Sequence, residues 1–180
     1  MRVEEQLERL KYPIGQYEGR SPATPEHRAA WIEEIATLPE RLGDAVRGLT
    51  PAQLDTPYRT GGWTIRQVVH HVADSHMNSV VRLKLALTED APTIKPYHEE
   101  LWAELDDARA MDVDVSLRLL SALHARWTTV LRGLTEEQWA RTFVHPASGP
   151  TDLANHAGLY AWHGNHHLAH IANLRLRMGW

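Results

Sequence analysis

Three observations on the sequence predict an all-α fold, a four-helix bundle with a two-fold internal αα repeat and a long crossover connection. Four long segments carry apolar residues at three- and four-residue spacing, which is the period of an amphipathic helix. Capping-box sequences, in which Thr is followed three residues later by Gln, stand before several helical stretches. Residues 47–54 are echoed at residues 132–139, so two halves of the chain share one pattern.

The composition is that of one ordinary domain, residues 1–180, long enough to bury a full core. The chain has no cysteine, so any metal ligand must offer nitrogen or oxygen. Its 19 basic and 23 acidic residues give a net charge of −4, without a run of five like charges. This pattern argues against nucleic-acid and membrane partners and favours a small-molecule substrate or a second copy of the chain. Without a leader sequence or a long apolar run, we expect a cytoplasmic location.

The first long helix follows an N-terminal stretch that lacks a sustained period. Residues 1–23 carry several Gly and Pro residues and are predicted to be an arm lying over the surface. Thr24, directly before a proline, favours a helix start, and the apolar spacing continues to Leu49. Pro39 lies inside this helix and removes a backbone donor. We therefore expect a kink or a break near Leu38.

The second long helix is preceded by a repeated start signal. Thr50 and Gln53 form a capping-box pattern that opens a short helical turn, and a loop of residues 55–62 follows. Thr64 and Gln67 repeat the pattern and open a helix whose apolar stripe is rich in valine.

A polar row adjoins the apolar stripe of this second helix. It consists of His71, Ser75, Asn78 and Arg82. A polar row beside a buried face is typical of a pocket wall, so Asn78 and Arg82 are candidate pocket residues that would contribute to catalysis. His76 lies inside the stripe and is expected to be a hydrogen-bonded core residue, whereas His70 points elsewhere.

The connection of residues 88–112 loses the helical period apart from a short helical turn within residues 97–105. A connection of this length in a compact domain is typical of a crossover or a pocket loop. Asp112 then favours the start of the third long helix. His124 lies on the apolar stripe of that helix, where it either reaches the pocket or makes its hydrogen bonds within the core.

The last long helix carries paired histidines. His163 and His167 lie four residues apart and therefore share one face of the helix. Their rings fall about 60° and about 20° from the centre of the apolar stripe, whereas His166 falls about 120° away. His163 and His167 therefore form the inward pair. Gly164, which has no side chain, allows a neighbouring helix to approach beside them.

These histidines predict a metal site. His71 lies on the corresponding helix of the other half, so it can face His163 and His167 across the bundle. Three imidazoles with an open fourth position form the arrangement of a catalytic zinc site, which water or a thiol can complete. The alternative is that these residues are core or surface histidines with ordinary hydrogen bonds. A fourth ligand from His156 or His170 would close the site and argue against catalysis.

Three motifs closely resemble those of the YfiT-type metal-dependent hydrolases of the DinB-like superfamily: KYPIG at 11–15, GGWTIRQVVHHVADSH at 61–76 and YAWHGNHHLAHI at 160–171. The resemblance extends over nearly the whole chain. It implies a four-helix bundle, a homodimer, a cytoplasmic location and one divalent metal ion per subunit, zinc or nickel. Carried over position by position, the metal ligands are His71, His163 and His167.

The resemblance also implies a function. A metal-dependent hydrolase would use the three-histidine site to activate water on a small-molecule substrate. Related members activate a low-molecular-weight thiol such as bacillithiol, so a thiol S-transferase acting on small electrophiles is the first alternative. A non-catalytic metal-binding or assembly module is the second. Imidazole suits zinc and nickel alike. The sequence assigns no role to the histidines at positions 70, 124, 156, 166 and 170.

Overall fold

A computed structural model describes residues 3–19 and 22–180, and its fold is the predicted all-α four-helix bundle. Four long helices form the bundle and short elements connect them. The elements in chain order are α1 Val3–Lys11, α2 Pro25–Val46, α3 Pro51–Leu54, α4 Ile65–Thr88, α5 Glu99–Trp102, α6 Asp106–Ala110, α7 Val113–Arg132, α8 Glu136–Trp139, β1 Thr142–His145, β2 Gly149–Asp152 and α9 Leu153–Met178.

The four long helices are α2, α4, α7 and α9, and their packing order differs from their chain order. Helix α2 packs mainly on α7 and α9, and α4 packs on the same two helices. The consecutive helices α2 and α4 therefore lie at opposite corners of the bundle. Helix α4 faces α9, as the site prediction requires. The two-fold internal repeat stays a prediction.

The predicted helix starts are confirmed. The hydroxyl groups of Thr24, Thr50 and Thr64 each accept a hydrogen bond from the backbone N–H three residues later. Thr135 does the same at α8, so the echoed capping boxes both form short helical turns. These caps satisfy donors that a helix leaves unpaired in its first turn, which explains why short sequence patterns locate the starts correctly.

Pro39 does not break the first long helix. Helix α2 continues through it to Val46, so a break near Leu38 is wrong, whereas a kink there stays a prediction. A proline at this position removes the N–H that would pair with the carbonyl group of Ile35. That carbonyl instead accepts a hydrogen bond from the Nδ1 of His124 on α7, at 2.6 Å. The neighbouring helix therefore satisfies the group that the proline leaves unpaired.

The N-terminal arm contains a helix that the sequence did not predict. Residues 3–11 form α1, and the arm then lies on the last helix. The hydroxyl group of Tyr17 donates to the carbonyl oxygen of Asn155, at 3.1 Å, and His170 donates from Nε2 to the carbonyl oxygen of Lys11, at 3.0 Å. Residues 1, 2, 20 and 21 of the predicted arm lie outside the described residues.

A small hairpin was also missed. Strands β1 and β2 pair antiparallel, with Phe143 opposite Thr151, in a segment for which the sequence predicted no strand. The connection of residues 88–112 is fastened to this hairpin, because the N–H of Ile94 donates to the carbonyl oxygen of Val144 at 3.0 Å. The connection also contains α5, which agrees with the predicted helical turn, and α6. No helix in the described part of the chain is both long and apolar enough to span a membrane.

Glycines on α9 allow α2 to approach closely. A Cβ atom added at Gly164 would collide with the buried side chain of Leu38 on α2. A Cβ atom at Gly158 would lie 2.9 Å from the ring of Trp31, which also belongs to α2. The predicted close approach beside the paired histidines is therefore confirmed.

Replacing Gly164 by Ala is expected to destabilise the protein. Overpacking against a buried side chain costs about 1–3 kcal/mol. The higher helix propensity of Ala relative to Gly offsets roughly 1 kcal/mol of this cost. Gly43→Ala on α2 is the matched control, because a Cβ atom there meets nothing within 4 Å. Urea unfolding should show that Gly164→Ala is less stable than the wild type and that Gly43→Ala is not. Equal free energies of unfolding for the two variants would contradict the close packing of α2 on α9.

Candidate metal centre

The three predicted ligands lie together. His71 projects from α4, and His163 and His167 project from successive turns of α9. One ring nitrogen of each residue lies within 4.8 Å of the corresponding nitrogens of the other two. The Nε2 atoms of His71 and His163 are 3.2 Å apart. His71 and His167 are buried and His163 is partly exposed.

This geometry fits a small divalent cation. A zinc ion lies about 2.0–2.1 Å from each imidazole nitrogen, so two ligands of a tetrahedral ion are about 3.4 Å apart. The separation of 3.2 Å between His71 and His163 is close to that value. Among the described residues, no other His, Cys, Asp or Glu side chain joins the group of three. The buried Nδ1 of His167 has no hydrogen-bond partner in the described part of the chain.

The three rings are neutral at pH 7. Burial, together with the neighbouring His166, lowers the pKa of His71 to about 4. Burial, followed by the surrounding histidines, also lowers the pKa of His163 and of His167 well below the ordinary value. Neutral imidazole is the form that binds a metal ion, since protonation would occupy the lone pair.

A second histidine group adjoins the first and shares His167. One ring nitrogen each of His166, His167 and His170 lies within 4.8 Å of the others. His166 is buried, although the helical spacing placed it away from the inward face, because the N-terminal arm covers it. Its ring stacks on Trp162 with centroids 4.6 Å apart.

The remaining predicted histidines make separate contacts. His70 points away from the site, as predicted, and its ring nitrogens lie 2.8 Å from Ser116 Oγ and 3.1 Å from the carbonyl oxygen of Met111. His156 lies 2.8 Å from Ser79 Oγ and does not join the three ligands. His76 is a hydrogen-bonded core residue, also as predicted.

A cavity of about 430 Å³ opens onto the three ligands. Its lining residues are Lys11, Tyr12, Tyr58, Arg59, Gly61, Gly62, Trp63, His71, Glu99, Glu100, Trp162, His163, His166, His167 and His170. Glu99 and Glu100 belong to the connection of residues 88–112 and supply carboxylates that the sequence did not single out. The signal that could have found them is the pair of acidic residues in the first turn of the predicted short helix.

The predicted pocket residues Asn78 and Arg82 are not among the residues that line this cavity. The side-chain amide of Asn78 donates to the carbonyl oxygen of Asp74 on its own helix, at 2.9 Å. Arg82 Nη1 and Ser75 Oγ each lie 3.5 Å from the hydroxyl oxygen of Tyr160. The predicted polar row therefore divides: His71 lies in the cavity, Ser75 and Arg82 are directed at Tyr160, and Asn78 bonds to its own helix. A catalytic contribution of Asn78 and Arg82 stays a prediction.

Comparison with known proteins identifies the family. The family model of the DinB superfamily matches residues 34–171. The chain belongs to the DinB superfamily. Its resemblance to that superfamily, seen in the histidine motifs, is therefore confirmed.

Solved and curated members of the DinB superfamily agree closely with this chain. YfiT from Bacillus subtilis, described as a probable metal-dependent hydrolase with an unusual four-helix bundle topology, is 52% identical with a TM-score of 0.94. The match covers 96% of this chain and 99% of YfiT. Proteins of Bacillus cereus (strain 03BB102) and Bacillus thuringiensis subsp. konkukian (strain 97-27) are each 58% identical, over 95% of this chain and 98% of the relative. Both relatives are named "Putative metal-dependent hydrolase".

The metal-free protein is expected to lose stability as the pH falls from about 6.5 to about 4. Burial lowers the pKa of His124 and of His170 to about 4 and that of His156 to about 3. In this pH range the unfolded chain binds more protons than the folded one. Each such histidine therefore lowers the free energy of unfolding by up to ~1.4 kcal/mol for each pH unit of acidification.

Urea unfolding of the metal-free protein across this pH range measures the effect. His156→Gln should flatten the dependence of the free energy of unfolding on pH, because one proton fewer is taken up on unfolding. A stability that is constant or rises on acidification would contradict the neutral state of these buried rings.

Proposed function

We propose that this protein is a metal-dependent hydrolase in which His71, His163 and His167 hold one divalent ion, zinc or nickel, and activate water on a small-molecule substrate. The observation that carries the proposal is the convergence of three neutral imidazoles on one wall of a cavity. The names of the related proteins, which describe metal-dependent hydrolases, support it. When bound on three neutral ligands, the ion supplies a Lewis acid that makes water or a thiol nucleophilic near neutral pH.

The residues around the ligands have separate tasks in this proposal. The ring of Trp63 packs on His71 with centroids 4.5 Å apart, which holds that ligand and keeps water from its side. Glu99 and Glu100 are the carboxylates that line the cavity, and we propose that one of them accepts the proton that the nucleophile loses. Burial raises the pKa of Glu99, which makes its carboxylate a stronger base. The cavity volume of about 430 Å³ suits a small molecule.

A thiol S-transferase is the second candidate, and two basic residues of the cavity favour it. Lys11 and Arg59 line the cavity together with the three ligands. The Nε of Arg59 is buried without a hydrogen-bond partner in the described part of the chain. Basic side chains in the cavity suit an anionic, low-molecular-weight thiol, and an ion held by the three histidines would make its sulfur nucleophilic toward an electrophile.

Assembly and location also remain proposals. The chain exposes large apolar side chains on α4, α7 and the connection between them, including Val81, Leu101, Leu105 and Leu119. These side chains support the homodimer that the resemblance implies, and we propose a cytoplasmic location on the same resemblance.

Removal of the metal ion is expected to lower turnover at least ~100-fold, since the ion is what makes water or a thiol nucleophilic. The metal-loaded protein is incubated with activated esters, and separately with a small electrophile in the presence and absence of a thiol. Ester hydrolysis without thiol supports the hydrolase. Turnover that occurs only with thiol would reject hydrolysis and support the S-transferase.

Two variants distinguish these enzymes from a non-catalytic module. His71→Ala should abolish bound metal and turnover while the fold is retained. His70→Gln is the matched control, because it alters the adjacent buried histidine, whose partners are Ser116 and Met111. Loss of the fold or of dimerisation in His71→Ala, together with no turnover by the wild type, would indicate a structural metal instead.

A further inference from the structure

A line of buried hydrogen bonds leads from one metal ligand to the opposite side of the bundle. Nδ1 of His163 lies 3.1 Å from Nε2 of His76, and Nδ1 of His76 lies 2.9 Å from Nε2 of His124. Nδ1 of His124 lies 2.6 Å from the carbonyl oxygen of Ile35. The line therefore joins α9, α4, α7 and α2, the four long helices.

The carbonyl group of Ile35, at the far end of this line, fixes the direction of its hydrogen bonds. A carbonyl oxygen only accepts hydrogen bonds, so Nδ1 of His124 must carry the proton that binds Ile35. A neutral imidazole has one donor and one acceptor, so Nε2 of His124 accepts from Nδ1 of His76. By the same rule Nε2 of His76 accepts from Nδ1 of His163. The lone pair of His163 is then on Nε2, the atom that lies 3.2 Å from Nε2 of His71.

Pro39 explains why the line ends at Ile35. In an uninterrupted helix the carbonyl group of residue 35 would accept the N–H of residue 39, but proline has no N–H. The carbonyl group of Ile35 is buried within the bundle and must find another donor. His124 is that donor.

The rings of the line are held in place and kept neutral. His76 is fully buried and His124 is 1% exposed. Both pack edge-on against Trp127, with centroids 5.6 Å and 5.4 Å away, and the planes of the two rings lie within 6° of each other. Burial lowers the pKa of His76 well below its ordinary value and that of His124 to about 4. A charged ring, which would have two donors, is therefore disfavoured in the middle of the line.

We propose that His124 and His76 are positioning residues that fix the tautomer of His163, so that its Nε2 lone pair faces the metal position. The consequence for metal binding rests on the proposed function, whereas the tautomer is a property of the metal-free chain. The line does not carry protons out of the site, because the carbonyl group of Ile35 cannot pass a proton on. It acts by orientation alone, in the way that partners of metal-binding histidines set ring tautomer and ligand basicity.

The first test uses the wild-type protein without metal. Nitrogen-15 NMR of the histidine side chains at pH 7.5 should show His163 protonated on Nδ1 and unprotonated on Nε2. His76 and His124 should show the same tautomer. Protonation of His163 on Nε2 would overturn the proposal, and this result does not depend on any variant or on metal binding.

The second test removes the acceptor for His76. His124→Leu should weaken metal binding by about 10–100-fold, measured by competition with a chelator, and should give His163 a mixture of tautomers. His124→Gln, which keeps both an acceptor and a donor, should recover part of the affinity. His156→Leu is the matched control: this residue is equally buried, lies on the helix of the ligands and binds Ser79, so it should lose stability but keep affinity.

The outcomes separate the two proposals. An unchanged affinity in a folded His124→Leu, or an equal loss in His156→Leu, would overturn the role of His124. Failure of the wild type to bind zinc or nickel would instead overturn the proposed function, while the NMR measurement would still decide the tautomer.

Discussion

Many features of this bundle follow from the burial of its imidazole rings. Each neutral ring brings one donor and one acceptor into the core, and an unpaired polar atom there costs about 1–3 kcal/mol. The bundle satisfies most of these atoms through helices that are distant in sequence, as at His76 and His124. The acceptors that converge on the cavity wall, at His71, His163 and His167, are the ones for which a cation is the natural partner.

The sequence predicted the parts of the fold that local rules govern. Helix starts at Thr24 and Thr64 followed from hydrogen bonds within one turn, so a few residues sufficed to locate them. The inward direction of His163 and His167 followed from helical periodicity, because the same stripe that packs the core also orients the rings. The approach of α2 at Gly164 followed from the absence of a side chain.

The parts that were missed depend on contacts between distant segments. Within one helix, Pro39 leaves the carbonyl group of Ile35 without its usual donor. The sequence therefore suggested a kink or a break of the first long helix. Only the fold shows that His124 occupies that acceptor, so the helix continues. The burial of His166 depends on the N-terminal arm, and the carboxylate of Glu99 reaches the cavity from a connection that belongs to a different part of the chain. Periodicity within one helix cannot supply such information.

X-ray absorption spectroscopy of the zinc- or nickel-loaded protein tests the three-histidine centre, since it counts the ligands of the ion. We expect three imidazole nitrogens, at about 2.0–2.1 Å for zinc, together with ligands from solvent. The His71→Ala variant, prepared in the same way, should retain no bound zinc or nickel and therefore give no such spectrum. A fourth protein ligand in the wild type, or a first coordination shell without three imidazoles, would contradict an open three-histidine centre built from α4 and α9.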